Sequence, residues 1–217
     1  QIFASRFSDT ELQNLSENGR IYFNKIYNAA KRMQNLISDL LSYSRAKTEE
    51  RKYKLVNLNT LINEIKEEFA ETIYDKQAII EAENLGAVNV IPFQFRQLIY
   101  NLIANALKFA KPDLPSIIKI SNEIVDADKV PDINPNSKTQ YYHIAVSDNG
   151  IGFEQQYHKR IFEVFQRLHD HQKIAGTGMG LAIAKTIVEN HNGIIKASGE
   201  PDKGATFDIY LPIKQND

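Results

Sequence analysis

The 217-residue sequence contains no cysteine. It therefore has no disulfide bonds and no thiolate metal ligands, which makes a reducing compartment, the cytoplasm, the expected location. No apolar run approaches the roughly 18 residues that span a bilayer, and no signal-peptide pattern opens the chain. The formal net charge is only -1, so we expect no attraction to nucleic acid and no membrane contact by this chain. The composition, 42% hydrophobic and 24% charged, is typical of a globular protein.

Two familiar nucleotide-binding signatures are missing as well. The sequence holds no Gly-x-x-x-x-Gly-Lys-Ser/Thr loop. It also holds no Gly-x-Gly-x-x-Gly between a strand and a helix with an acidic residue about 20 positions further on. A nucleotide site in this chain must therefore be built in another way.

Two glycine clusters, about two dozen residues apart, have the pattern expected of the two walls of a nucleotide pocket. In the first, Asp148 follows a predicted strand and can accept a hydrogen bond from an exocyclic amine, while Gly150 and Gly152 let a flat base lie against the backbone. The second cluster opens a predicted helix, where free N–H groups and the helix dipole favour phosphate. Its members are Gly176, Thr177, Gly178, Gly180 and Leu181. Either cluster alone is as readily an ordinary turn, but the pair in this order favours a nucleotide pocket.

A third group of polar residues lies on a predicted helix over residues 93–109. Asn101, Asn105 and Lys108 are spaced by four and three residues, so they project from one face. Amide oxygens suit magnesium, which keeps several of its water ligands, and an ammonium group suits phosphate. A merely solvated polar face is the alternative, although asparagine is a poor helix former.

The N-terminal region predicts one long helix of roughly 28 residues, from Gly19 to Lys47. Its apolar residues recur at spacings of three and four. The stripe favours self-association into a bundle, and packing on the chain's own domain is the alternative. Residues 1–18 indicate weakly the end of an earlier helix. We therefore expect a helical hairpin fragment over residues 1–50 and a second domain over residues 51–217.

The second domain mixes strands and helices. After a short strand at 55–58, Asn59 is the expected cap of a helix from Thr60 to Asp75. Residues 126–140 predict a long loop without function. Further strands are predicted at 78–82, 88–91, 117–125, 141–147, 193–198 and 206–211. This order predicts an α+β fold, an α/β sandwich of mixed sheet packed on helices.

Taken together, these motifs resemble the kinase core of bacterial sensor histidine kinases, close to the phytochrome-type group. The resemblance covers nearly the whole chain and implies a Bergerat-type ATP-binding fold. Four boxes occur in the family's order, with a short Gly-x-Thr-Phe near the end and the second helix of the dimerisation and phosphotransfer hairpin near the start. The matching segments are Asn101–Phe109 (N box), Asp148–Gly152 (first glycine box), Ile161–Arg167 (F box), Gly176–Leu181 (second glycine box), Gly204–Phe207 and Arg32–Arg45.

The resemblance implies a protein histidine kinase that transfers the γ-phosphate of ATP to a histidine and then to an aspartate of a response regulator. Asp148 would accept a hydrogen bond from the adenine amine. Asn105 would hold Mg²⁺ with Asn101 beside it, and Lys108 would reach the phosphates.

Further roles follow from the same resemblance. Arg167 would stabilise the transferring phosphoryl group. Phe162 and Phe165 would anchor the lid, or simply pack in the core. The family also implies a homodimer formed through the N-terminal helices and a response-regulator partner. Nucleotide contacts are implied for the glycine boxes and the Gly-x-Thr-Phe, namely Gly150, Gly152, Gly176, Thr177, Gly178, Gly180, Leu181 and Thr206.

One element of the family is missing. The acceptor lies in a His-Glu/Asp-Leu-Arg-x-Pro box on the first hairpin helix, and residues 1–18 contain no histidine. His191 lies at a helix end, where histidine commonly acts as a cap. Since the chain begins with Gln1 and not with Met, we expect a fragment cut just after the box, able to bind ATP but not to autophosphorylate alone. None of the five histidines has the acceptor's setting: His143, His158, His169, His171 and His191.

Two alternatives remain open. Another ATPase of the same fold, from the chaperone, mismatch-repair or topoisomerase group, would share the asparagine helix and the first glycine box but would normally need a long C-terminal transducer domain. A non-catalytic dimerisation and partner-binding module would have a vestigial pocket. The presence of both Asp148 and Asn105 argues against this second alternative.

Overall fold

The computed structural model describes residues 15–48, 52–82, 84–135, 137–168 and 176–214. The helix end weakly predicted over residues 1–18 lies outside this range except for its last four residues, and His169 and His171 also lie outside it. The helices are α1 (Glu17–Thr48), α2 (Leu58–Glu68), α3 (Ala70–Asp75), α4 (Pro92–Lys108) and α5 (Gly180–Asn190). The strands are β1 (Lys54–Asn57), β2 (Ile79–Glu81), β3 (Ala87–Val90), β4 (Ile117–Asp126), β5 (Gln140–Asp148), β6 (Ile194–Glu200) and β7 (Gly204–Pro212).

Five of the strands form one mixed sheet in the order β2-β4-β5-β7-β6. β2 runs parallel to β4, and the other neighbours are antiparallel. β1 and β3 pair in a separate antiparallel ribbon. Helices pack against the sheet, so the predicted α+β architecture is confirmed.

The two faces of the sheet are covered differently. Successive residues of a strand point to opposite faces, and Ile209 belongs to the main core whereas Tyr210 belongs to a second cluster. The main core extends from Leu58 in α2 to the C-terminal strand and includes the apolar sides of α4 and α5. The segment predicted as a functionless loop, 126–140, contributes Ala127 and Val130 to the second cluster, so it has at least a structural role.

The predicted cap of α2 is wrong by two residues. Asn57 is the cap: its backbone is extended and its side-chain oxygen accepts the N–H of Thr60 at 3.2 Å. The side-chain oxygen of Asn59 instead accepts the backbone N–H of Leu85 at 3.4 Å.

The single helix predicted over residues 60–75 is also wrong, because it is divided at Phe69 into α2 and α3. Phe69 leaves the helical conformation, and its ring stacks on Tyr100 of α4 with centroids 4.7 Å apart. A contact with another helix therefore accompanies a break that the local sequence pattern does not show.

α1 is 32 residues long and contacts α5. The large apolar side chains along much of its length remain exposed, so the described part of the domain does not cover this stripe. The exposed residues are Ile21, Tyr22, Ile26, Met33, Ile37, Leu40 and Leu41. In the described part of the chain, no helix combines the length and hydrophobicity needed to cross a membrane.

Candidate functional site

One cavity collects most of the predicted site residues. Its walls come from α4, the end of β5, the second glycine cluster, β7 and one residue of α1. The predicted residues that line it are Asn101, Asn105, Lys108, Asp148, Gly152, Arg167, Gly176, Thr177, Gly178, Gly180 and Leu181. Segments far apart in sequence thus meet at one place, as the paired glycine clusters predict.

Gly150 and Thr206 are the predicted site residues that do not line the cavity. A side chain on Gly150 would begin 2.6 Å from the carbonyl oxygen of Phe109, so this glycine allows close backbone packing behind the cavity. Thr206 lies on β7 between Ala205 and Phe207, which do line the cavity. Alternation along the strand therefore points the Thr206 side chain to the opposite face.

Asp148 stands at the end of β5 with its carboxylate held by the backbone. The N–H of Gly150 donates to Oδ1 at 2.8 Å, and the N–H of Ala205 is a second donor. Burial raises the pKa of the Asp148 carboxyl, and these two hydrogen bonds oppose the rise. The result is a fixed hydrogen-bond acceptor in a poorly solvated position.

The turn that follows Asp148 is clamped from two sides. On one side, the Asn149 side chain accepts the N–H of Ile117 at 2.8 Å and donates to the carbonyl of Pro115 at 3.0 Å. On the other side, Gly152 has φ of +61°, and a side chain there would begin 2.0 Å from the carbonyl oxygen of Glu200. The first glycine box is therefore pressed between the start of β4 and the turn that joins β6 to β7.

The two asparagines of α4 differ in their surroundings. The side-chain oxygen of Asn101 accepts from Nε2 of Gln97 at 3.0 Å, and its nitrogen donates to the carbonyl of Gly180 at 3.1 Å. Asn101 thus joins α4 to the first residue of α5. Among the described residues, none hydrogen-bonds to the Asn105 side-chain amide, which lines the cavity and is available to a ligand.

Two positively charged side chains lie at the end of the cavity near α5. Lys108 and Arg167 both line it. Burial, and then the charge of Arg167, lower the pKa of the Lys108 ammonium below its ordinary value. The Lys108 Nζ also lies 4.6 Å from the centroid of the Phe109 ring. Two cations brought together in a partly buried position favour an anionic ligand.

The second glycine cluster forms the turn before α5. The Thr177 hydroxyl accepts the backbone N–H of Met179 at 3.3 Å. Gly178 has φ of +77°, and a side chain there would begin 2.8 Å from the carbonyl oxygen of Gln166. The cluster therefore rests directly on the backbone of the F box.

The two phenylalanines of the F box have different positions. Phe162 is buried and packs edge-on against Phe207, with centroids 6.4 Å apart. Phe165 is 61% exposed and has a positive φ of 62°. Phe162 therefore packs in the core, as one of its two predicted roles requires, whereas core packing is wrong for Phe165. An anchoring role of either residue for the lid stays a prediction.

The sequence interpretation missed several residues of the cavity. Ala205 and Phe207 are the strand neighbours of Thr206, so alternation along β7 could have indicated that they line the cavity if Thr206 does not. Phe109 directly follows Lys108 at the end of α4, and this position could have indicated that it lies beside the cavity. Asp39 has no local signal, because it reaches the cavity only through the placement of α1. The missed residues include Asp39, Phe109, Gln166, Ala205 and Phe207.

Residues 91–215 match the family described as histidine kinase-, DNA gyrase B-, and HSP90-like ATPase. The chain belongs to this ATPase family. The match begins at the residue before α4 and includes the asparagine helix and both glycine boxes. It therefore covers the elements that build the cavity, apart from α1.

Two relatives place the chain among sensor kinases. It is 32% identical over 213 residues to the phytochrome-like protein Cph1 of Synechocystis sp., a match that covers 98% of this chain and 26% of the relative. It is 32% identical over 191 residues to sensor histidine kinase RppB of the same genus, covering 84% of this chain and 38% of the relative. The chain thus carries the ATP-binding catalytic core of a two-component sensor kinase and spans only part of these relatives.

The solved structure of histidine kinase ThkA in complex with response regulator protein TrrA has the same fold. The TM-score is 0.64 with 22% identity, over 98% of this chain and 57% of that chain. The matches to Cph1 and RppB do not favour either alternative, another ATPase of the same fold or a non-catalytic module.

Proposed function

We propose that this chain binds ATP with magnesium and supplies its γ-phosphoryl group to a histidine, from which the group passes to an aspartate of a response regulator. In the first step, the bond between the γ-phosphorus and the bridging oxygen breaks to release ADP, while a nitrogen–phosphorus bond forms at the imidazole. In the second step, that bond breaks as an oxygen–phosphorus bond forms at the carboxylate. Both steps are group transfers and need no oxidant or reductant.

A single observation supports this proposal: the same cavity is lined by the fixed carboxylate of Asp148 and by two cationic side chains, Lys108 and Arg167. Asp148 has the acceptor geometry for the adenine amine, held by the N–H groups of Gly150 and Ala205. Lys108 and Arg167 would neutralise the phosphates and the charge that develops on the transferring group. The turn of the second glycine cluster would accept the phosphates at the start of α5.

The surroundings of Asn105 fit a magnesium ion bound together with phosphate. Among the described residues, no group of three or more histidine, aspartate or glutamate side chains is arranged to hold a metal. Magnesium keeps most of its ligands as water and phosphate oxygens in such sites, so one amide oxygen from the protein suffices. Asn105 offers that oxygen, whereas Asn101 would first have to leave Gln97. When bound, the ion would supply neutralising charge between the phosphates.

The acceptor histidine is proposed to come from a segment carrying the family's acceptor box, and this chain alone is expected not to autophosphorylate. None of the described residues lining the cavity is a histidine. His143 lies on β5 between Glu123 and Asp208, at 3.1 and 2.9 Å, and stacks on Tyr210. His191 is wholly buried.

The partners and the location of the chain are also proposals. The exposed stripe of α1 suits self-association into a helical bundle, since its large apolar side chains would otherwise face water. A response regulator is proposed as the partner by analogy with the ThkA complex, whose name includes one. A cytoplasmic location is proposed because a chain without cysteine suits a reducing compartment.

The test is calorimetric titration with a non-hydrolysable ATP analogue, with and without magnesium. Wild type should bind more tightly with magnesium, and Asp148→Ala should abolish binding. Asn105→Ala should retain magnesium-free binding but lose the gain from magnesium. The matched control is Asn63→Ala, an exposed asparagine on α2, which should behave as wild type. Failure of the wild type to bind would overturn the proposed function, and a full magnesium gain in Asn105→Ala would overturn the metal assignment.

A further inference from the structure

One side chain of α1 enters the cavity. Among the described residues of this helix, Asp39 alone lines the cavity, and its carboxylate oxygen Oδ2 accepts a hydrogen bond from the Thr177 hydroxyl at 2.5 Å. The two residues are separated by 138 positions in the sequence. This hydrogen bond joins the long N-terminal helix to the second glycine cluster.

The contact between Asp39 and Thr177 lies where the start of α5 and two cations create a positive environment. Thr177 lies in the turn before α5, where its hydroxyl also accepts the N–H of Met179. Lys108 and Arg167 line the same cavity. A helix start with nearby cations is the environment that favours an anion. In the described structure, the carboxylate of Asp39 is the anionic group that reaches this turn from α1.

We propose that Asp39 competes with nucleotide phosphates for the turn at Thr177, so that α1 rests against the catalytic domain without nucleotide and is released when phosphates enter. The inference rests on the proposed function, because it concerns the phosphate end of the same cavity. Two like charges at one partly buried place destabilise each other. Bound phosphates therefore weaken the Asp39 contact, and by thermodynamic reciprocity the contact weakens phosphate binding by the same factor.

The variant Asp39→Asn separates charge from shape. Asparagine keeps the size of the side chain and an oxygen that can accept from Thr177, but it removes the negative charge. The affinity for the ATP analogue should rise by about five-fold or more. The affinity for adenosine, which has no phosphates, should stay unchanged. Glu17→Gln is the matched control, because it removes one exposed negative charge from the same helix and should change neither affinity.

Each outcome of these titrations is decisive. Equal affinities for the ATP analogue in wild type and Asp39→Asn would overturn the inference. So would a parallel rise for adenosine, which would show an effect on access to the whole cavity. Weaker analogue binding in Asp39→Asn would also overturn it, since Asp39 would then assist the nucleotide. If the wild type binds no analogue at all, the proposed function itself fails.

A second measurement follows α1 directly. The chain has no cysteine, so single cysteines can be introduced at the exposed positions Asn28 on α1 and Lys185 on α5 and spin-labelled. The distance between the labels should lengthen with the ATP analogue and remain unchanged with adenosine. An unchanged distance with bound analogue would contradict release of α1.

Discussion

The backbone N–H of Ile91 donates a 2.9 Å hydrogen bond to Nε2 of His191, a residue one hundred positions later in the chain. The other ring nitrogen, Nδ1, lies 2.7 Å from the carbonyl oxygen of Ile187 and donates to it. These two partners require a neutral ring with its proton on Nδ1. His191 therefore caps α5, as expected from its place in the sequence, and also joins the end of α5 to the start of α4.

Replacing His191 should destabilise the protein. His191→Leu leaves the buried N–H of Ile91 without its acceptor, and we expect a loss of about 2–4 kcal/mol in the free energy of unfolding. His191→Gln offers an oxygen in place of Nε2 and should lose less. Urea unfolding of the two variants measures the difference. Equal losses would show that the ring's volume, and not the hydrogen bond to Ile91, determines the stability.

Gly152 and Gly86 provide a matched pair for the first glycine box. Their φ values are similar, +61° and +70°, so alanine is strained at both. No atom lies within 4 Å of an added Cβ at Gly86, whereas the carbonyl oxygen of Glu200 lies 2.0 Å away at Gly152. We expect Gly86→Ala to lower the free energy of unfolding by about 1 kcal/mol, because of backbone strain alone. Gly152→Ala should lower it by more than about 3 kcal/mol and weaken nucleotide binding. Similar unfolding free energies for the two variants would contradict the close packing at Gly152.

Adenosine binding should depend on the ionisation of Asp148. Burial raises the pKa of this carboxyl, so protonation begins at a higher pH than for an ordinary aspartate. A protonated carboxyl is a poorer acceptor for the adenine amine, and the affinity should therefore fall as the pH falls through this raised value. Titrations with adenosine from about pH 8 to about pH 5 avoid the phosphate ionisations of ATP. Asp148→Asn should bind weakly at every pH, and a pH-dependent fall that persists in this variant would assign the effect to another group.

Self-association should depend on the apolar stripe of α1. Ile37 is 61% exposed in the single chain, and Ile37→Asp should shift the monomer–dimer equilibrium at least about tenfold toward monomer, because a charge would be buried in the bundle. Gln34→Asp, on the same helix, adds the same charge at an exposed polar position and is the control. Sedimentation equilibrium measures both. An unchanged monomer in the wild type would contradict self-association, and equal shifts in the two variants would assign the effect to charge alone.

Much of the site could be predicted from local patterns. Helix periodicity predicts that Asn101, Asn105 and Lys108 share one face of a helix, and in the structure all three line the cavity. The glycine boxes were found because a turn that must approach another backbone closely requires glycine at particular positions, as at Gly152 and Gly178.

The features that the sequence did not reveal depend on contacts between distant segments. Asn57 caps α2, whereas Asn59 lies inside the helix and accepts the N–H of Leu85. Only the tertiary structure distinguishes these two similar residues. Asp39 reaches the cavity through the packing of α1, which no local pattern encodes. Phe165 is exposed although its sequence motif is apolar, because apolar residues do not all find a place in the core.

The clamped turn after Asp148 also bears on the choice of base. Guanine presents a carbonyl oxygen where adenine presents its amine, so two acceptors would face each other at the Asp148 carboxylate. The backbone donors of Gly150 and Ala205 hold that carboxylate, and Asn149 fixes the turn behind it, so under the proposed function the site would not rearrange to suit guanine. The rigidity of this turn would then also discriminate between the two purines, since unpaired buried acceptors are costly.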